Sequence, residues 1–438
     1  MVNFHSVKVV DEFQISPPPS SVPTTSLPLT FFDIPWFLCR PMQRLFFFEF
    51  PHPTSFLVDN VLPNLKHSLS LTLQHFFPFA ANITYPSPPQ KPCILFQYGD
   101  SIPFIVAEST ADFNLVISNH PMDVRELHPY VPKLPPQHLL AVQVTLFPNS
   151  GIGIGFEFCH VVADGMAFNH FVKSWASVYR SGGDLTCLDN SLPSHAREAI
   201  RDPQELEPIF LRELQNWTSS WDYDMGFSMD QQLADKVKAT FVSLKCLEAK
   251  AGQIRISKFV VICAFVWVNV IKSREDEATN YKVHYLGFVA DCRGRLKPKL
   301  PITYFGNCLS VCYASAKRSE LIQENGITIA AKAIAKQVKE LENGVLERAE
   351  KWMSDWKEIS EQGTLITISG SPKLRVCDID FGWGRPKKSK VVQIDVLGAV
   401  SISKLRDGGG GVEVGLALPR SQMDVFNALF QQHLERRM

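Results

Sequence analysis

Several features that would narrow the function of this chain at once are missing from it. Its ten cysteines are scattered, with no C-x-x-C pair and no zinc-like spacing, which argues against a structural zinc site or a redox pair. Cys159 and Cys263 lie in apolar runs, where reduced, buried thiols are expected. Lys plus Arg and Asp plus Glu both number 44. No overall field therefore draws the chain to nucleic acid or to an anionic membrane, and any anionic ligand must be held by a local cluster. The longest apolar run, residues 259–268, is about half the length of a membrane span. The first residues show no signal-peptide core, so a cytoplasmic protein is expected and the sequons at Asn82 and Asn216 are expected to stay idle. No internal repeat and no Gly-x-Ser-x-Gly nucleophile elbow is present. Gly151, Gly153 and Gly155 lie inside a strand pattern rather than after one, so they make no dinucleotide fingerprint. A close approach of backbone or ligand explains them better.

What is there is a chain of 438 residues, 45% hydrophobic, large enough for two cores. Strand patterns at 139–147 and 152–158 flank a turn at 148–151, and residues 166–179 then alternate at helical spacing. An apolar helix is expected over 62–77, stopped by Pro78. Later come strands at 239–244 and 284–289, a buried helix at 258–272 and another at 327–341. Further strands lie near Thr364, Lys390 and Val400, with a hairpin turn at 408–411 and a terminal helix at 421–434. Residues 180–220 carry a weak signal and read as a crossover. The expected organisation is α/β, with two mixed-sheet domains of similar size, 1–180 and 221–438, joined by a linker over 181–220.

The chemistry concentrates in His160-x-x-x-Asp164-Gly165, at the junction of a strand and a helix. Histidine accepts a proton near neutral pH, and side chains at such junctions project into clefts. Two other clusters accompany it. One is Asp380-Phe-Gly382-Trp383-Gly384, where two glycines around a large ring suggest a tight, anchored turn, followed by a basic run. The other is Asp291-Cys-Arg293 with Tyr304-Phe-Gly-Asn-Cys308. A buried Asp164 or Asp380 needs a partner, and arginine suits it.

Together these motifs resemble the plant BAHD acyltransferases, acyl-CoA-dependent enzymes with two domains and an active-site channel between them. The Tyr304–Cys308 motif, the opening Ser26-Leu-Pro-Leu-Thr-Phe-Phe-Asp33 and the helix 65–76 are similar to the branch acting on anthocyanin and flavonoid glucosides. The resemblance spans nearly the whole chain. It implies a chloramphenicol acetyltransferase-like fold, a monomer, no metal and no permanently bound cofactor, with acyl-CoA as co-substrate and a glycosylated phenolic as acceptor. Ala81 stands where the family usually has Gly, Cys159 where many malonyl-transferring members have His, and Lys258 follows Ser257 where a hydroxyl residue is common.

The same resemblance implies direct transfer in a ternary complex. His160 is the general base, Asp164 turns away to Arg293, and Trp383 is a candidate donor to the oxyanion or a structural anchor. Gly165, Arg293, Asp380, Gly382 and Gly384 are structural, Ser257, Lys258, Ser369 and Ser371 contact CoA, and Phe168 and Asp33 contact substrate. For the donor, 166–170 carries no permanent cation to hold a malonyl carboxylate, whereas Phe168 offers a ring to an aromatic acyl group. A hydroxycinnamoyl donor is therefore favoured over malonyl. Three other classes compete: a CoA thioesterase, which would release free acid without acceptor; a peptide-synthetase condensation domain, which needs carrier domains absent here; and a non-catalytic binding member of the fold.

Overall fold

The structure, a computed structural model, describes residues 7–84, 91–119, 122–220, 237–244, 257–274, 281–395, 399–404 and 412–435. Two mixed sheets carry the fold. In the first, the strands run in the order Val7–Ile15, Ile102–Ser109, Leu140–Phe147, Gly151–Phe158, Met42–Glu49, Lys388–Val391. In the second the order is Leu309–Lys317, Val283–Asp291, Leu365–Ser369, Ala399–Lys404, Val412–Pro419, Val237–Leu244, Met122–Asp123. Each sheet thus ends on a strand from the other half of the chain, so the two layers are stitched together through main-chain ladders. The turn expected at 408–411 lies outside the described residues, but the strands beside it pair antiparallel as a hairpin requires.

Local chemistry explains the elements near the centre. The strand Gly151–Phe158 is closely approached at its glycines: a Cβ at Gly155 would lie 2.1 Å from the Tyr130 carbonyl oxygen, and one at Gly151 2.6 Å from that of Phe48. Glycine alone lets these backbones approach, as the strand pattern suggested. The helix Gly165–Arg180 turns Phe168, Phe171, Val172 and Trp175 toward the first sheet, where they join the helix Leu62–Leu73 in one core. The helix Lys258–Ser273 is apolar all round and correspondingly forms the centre of the second core. A third, smaller cluster, with Leu45, Phe47, Phe147 and Ala417, lies between residues of the two sheets.

The region 181–220 is more structured than its composition suggests. It holds the helix Leu206–Ser220, whose Leu206 and Phe210 join the second core, and a bridge from Ser194 to Tyr304. Among the described residues, no helix is long and apolar enough to cross a membrane, no disulfide forms, and no cluster fit to hold a metal occurs.

Candidate active site

His160 sits in the turn after Gly151–Phe158, 9% exposed, with its ring stacked on Trp36 at 4.1 Å and 17°. Its Nδ1 lies 3.1 Å from Asn307 Oδ1. The orientation of that amide follows from its surroundings. The Asn307 Nδ2 donates toward Asp33 Oδ1 at 3.0 Å and toward the carbonyl oxygens of His160 and Val161 at 2.9 and 3.1 Å. Those neighbours only accept, so the oxygen of the amide must face the imidazole. Nδ1 therefore carries the proton and donates it to Asn307, and Nε2 keeps its lone pair. Burial holds His160 below the ordinary histidine value of 6.5, outweighing the upward pull of its own carbonyl, Asp164 and Asn307. The ring is neutral at pH 7, with its basic nitrogen on Nε2.

Asn307 is held in turn by residues from three parts of the chain. Asp33 Oδ1 accepts from its backbone N–H at 3.1 Å, and Asp33 Oδ2 accepts from the Thr30 N–H, the Thr30 hydroxyl and the Arg197 guanidinium. Arg197 comes from the region read as a linker. Asp33, expected to contact substrate, is fully buried and its carboxylate is spent in this network.

Asp164 does not bond to His160. It caps the helix Gly165–Arg180, accepting from the N–H groups of Met166 and Ala167 at 3.0 and 2.9 Å. Arg293 donates to it from Nη1 and Nη2 at 2.8 and 3.0 Å, the pairing the resemblance implies, and the Cys308 N–H adds a bond at 3.2 Å. Arg293 also donates to Asp291 and to the carbonyls of Tyr304 and Gly306. Burial opposes the Arg293 charge, yet the Asp164 carboxylate more than offsets this and raises its pKa above the ordinary arginine value. Gly165 opens the capped helix, and a Cβ there would meet Leu374 at 3.3 Å.

Other expected site residues lie elsewhere. Phe168 does not offer a ring to a ligand: it is buried, stacked on Phe158 at 4.4 Å and 7° and edged by Phe156 and Phe79. Helical rotation places this position against the sheet, which sequence spacing marks as apolar without saying what it touches. Trp383 packs among Phe48, Phe50, Tyr179 and Phe381. Its contacts are with that cluster and not with His160. Among the described residues Asp380 has no arginine partner; it accepts the N–H groups of Gly382 and Gly384 at 2.7 and 3.0 Å, both glycines having positive φ. Ser257 caps the helix Lys258–Ser273 through the Val260 N–H, and both Ser257 and Lys258 are exposed. Ser369 is half-buried at a strand end, and Ser371 accepts from the Lys373 N–H at 3.2 Å.

Sequence reasoning missed Trp36, Asn307 as the partner of His160, Arg197, and the buried Arg44 described below. Asn307 stood inside a motif already singled out; nothing in the sequence marked Arg197.

Comparison with known proteins identifies the family. A family profile described as the Transferase family matches residues 6–433. The chain is 39% identical to coumaroyl-CoA:anthocyanidin 3-O-glucoside-6''-O-coumaroyltransferase 1 of Arabidopsis thaliana, over 98% of each chain. It is 37% identical to malonyl-coenzyme A:anthocyanin 3-O-glucoside-6''-O-malonyltransferase of Dahlia pinnata, over 99% of each. Among solved structures, vinorine synthase superposes with a TM-score of 0.72 at 20% identity, covering 96% of both chains. TRI101 of F. graminearum, complexed with coenzyme A and deoxynivalenol, does so with 0.69 at 12% identity, covering 92% of this chain and 97% of its own. These two likenesses show the fold. With the histidine, its aspartate and the arginine that holds it all placed, the chain belongs to this transferase family, the acyl-CoA-dependent BAHD acyltransferases.

Proposed function

We propose that this acyltransferase moves an acyl group from CoA to a sugar hydroxyl of a flavonoid or anthocyanin glucoside by direct attack in a ternary complex. The observation that carries the mechanism is the tautomer of His160. With Nδ1–H held by Asn307, Nε2 accepts the proton of the acceptor hydroxyl as its oxygen attacks the thioester carbonyl. The tetrahedral intermediate then collapses, the C–S bond breaks, and the CoA thiolate takes up the proton from the imidazolium. A thiolate leaves far more readily than an alkoxide, so the step asks little acid help. Asp164 acts at one remove, fixing the turn that presents His160 and locking it to Arg293 of the second half. Trp383, Asp380, Gly382 and Gly384 anchor a loop on the first sheet.

For CoA, the exposed Ser257 and Lys258 open a long helix whose N-terminus and cation suit phosphate groups; Ser369 and Ser371 complete the proposed contacts. The acceptor follows from the relatives, whose names all specify glucosides. With charges balanced at 44 and 44, the protein acts in this reading as a cytoplasmic monomer without nucleic acid or membrane partners. The argument for a hydroxycinnamoyl donor from Phe168 does not survive its burial. Coumaroyl- and malonyl-transferring relatives are almost equally similar, at 39% and 37% identity, so similarity does not choose.

The test is His160→Ala, assayed with acyl-CoA and a flavonoid glucoside. Transfer should fall by about a hundredfold to ten-thousandfold, the range of general-base catalysis, with an unchanged circular dichroism spectrum. Retained turnover would overturn the mechanism, and release of free acid without acceptor would mark a thioesterase instead.

A further inference from the structure

Four arginines belong to the buried set of described residues: Arg44, Arg197, Arg293 and Arg318. Arg197 has Asp33, Arg293 has Asp164 and Asp291, and Arg318 donates to the carbonyls of Ile271 and Arg274. Arg44 is different. It is 7% exposed, and no described residue gives its guanidinium a carboxylate or any other acceptor. Burial alone pulls its pKa down, to about 10, so it stays charged at neutral pH. A buried charge without a counter-charge costs the fold heavily, which is why such groups are normally paired.

Its position gives that cost a use. Arg44 lies on the strand Met42–Glu49, directly opposite Phe156, and strand alternation puts it on the same face as Phe46 and Phe48. The opposing chain reaches His160 only four residues beyond Phe156. The two side chains are near enough for the Arg44 charge to act on the imidazole.

We propose that Arg44 receives the free carboxylate of a dicarboxylic acyl donor, a malonyl-type thioester, at the site built around His160. This rests on the acyltransferase reading above and chooses its donor. In a malonyl thioester the carboxylate stands one methylene from the carbonyl under attack, so the cation that holds it must come from the chain beside the base, where the register puts Arg44. The guanidinium offers a carboxylate two parallel N–H donors. A p-coumaroyl group ends in a neutral phenol far from its thioester and would leave Arg44 uncompensated. The cation missing from 166–170 is thus supplied by a strand more than a hundred residues earlier.

The experiment compares malonyl-CoA, acetyl-CoA and p-coumaroyl-CoA with one neutral flavonoid glucoside, using wild type, Arg44→Met and Arg44→Lys. Wild type should prefer malonyl over acetyl, and Arg44→Met should shrink that preference in kcat/KM by about a hundredfold, the scale of losing a buried charge pair. Arg44→Lys should restore part of it. An isosteric apolar side chain removes an unpaired buried charge, so Arg44→Met should melt no lower than wild type, which separates this loss from misfolding. A malonyl-to-acetyl ratio unaffected by Arg44→Met, or a wild type that does not discriminate the two, overturns the proposal. A glucuronide acceptor supplies the other possible carboxylate: if Arg44→Met lowers glucuronide use while leaving the malonyl preference intact, the donor assignment falls. Absence of transfer from any acyl-CoA would instead defeat the acyltransferase reading itself.

Discussion

Two aspartate-centred loops of this molecule look alike in sequence and behave differently in space. Asp164 and Asp380 each accept two backbone N–H groups from the residues that follow and so tie a turn. Asp164, however, is fully enclosed, and it also receives both Arg293 nitrogens and the Cys308 N–H from the other half of the chain. Asp380 is partly open to solvent, and its loop is held by the rings of Phe381 and Trp383 against Phe48, Phe50 and Tyr179. The first loop is a buried electrostatic joint beside the base; the second is an apolar clasp toward the other end of the same helix, against Trp175 and Tyr179. A shared motif grammar of Asp and Gly therefore says how a turn is tied and not whether chemistry happens there.

Breaking the joint should have the largest effect on the fold. Arg293→Met leaves the Asp164 carboxylate buried and unpaired, at a cost of about 3–5 kcal/mol, and denaturant unfolding should show it. A matching Asp164→Asn on the Arg293→Met background should recover much of the loss; if it does not, the pair is not what joins the halves. Opening the clasp should cost less. Trp383→Ala removes a half-buried ring and should destabilise by about 2–3 kcal/mol, below the range for fully enclosed tryptophan. At a temperature where that variant is folded, its kcat should stay within a few-fold of wild type. A kcat loss as large as that of His160→Ala would place Trp383 in the reaction after all.

The mildest perturbation is acid, and it too separates the loops. His160 and His170 flank Asp164 in the chain and His195 packs on Phe305, and burial lowers the pKa of each, to about 4 for His195. The unfolded chain takes up these protons first as pH falls below 6.5. The stability they contribute is therefore complete above that value and is lost as pH drops toward the folded values. Turnover should fall in the same direction as His160 itself is protonated, below its ordinary pKa. A kcat that rises on acidification would contradict a neutral imidazole base. The Trp383 environment, followed by its fluorescence, should change only when the whole protein unfolds.

Sequence alone determined a good deal here. Hydrophobic periodicity placed the helices that became Gly165–Arg180, Lys258–Ser273 and Arg420–Glu435, because burial of one face, or of all faces, is written directly into residue spacing. The motifs marked His160, Asp164 and Arg293 as a group, since a buried carboxylate requires a cation and the family resemblance named which one. What periodicity leaves open is the neighbour across a fold. Phe168 reads as an apolar helix position whether it faces a ligand or a sheet, and only packing against Phe158 decided that. The region around Arg197 looks like a linker because its own contacts are not local; its role appears only when Asp33, some 160 residues away, closes on it. The tautomer of His160 and the lack of a partner for Arg44 among the described residues belong to the same class. Each depends on which acceptors come within about 3 Å, a distance set by two sheets meeting and not by any stretch of chain.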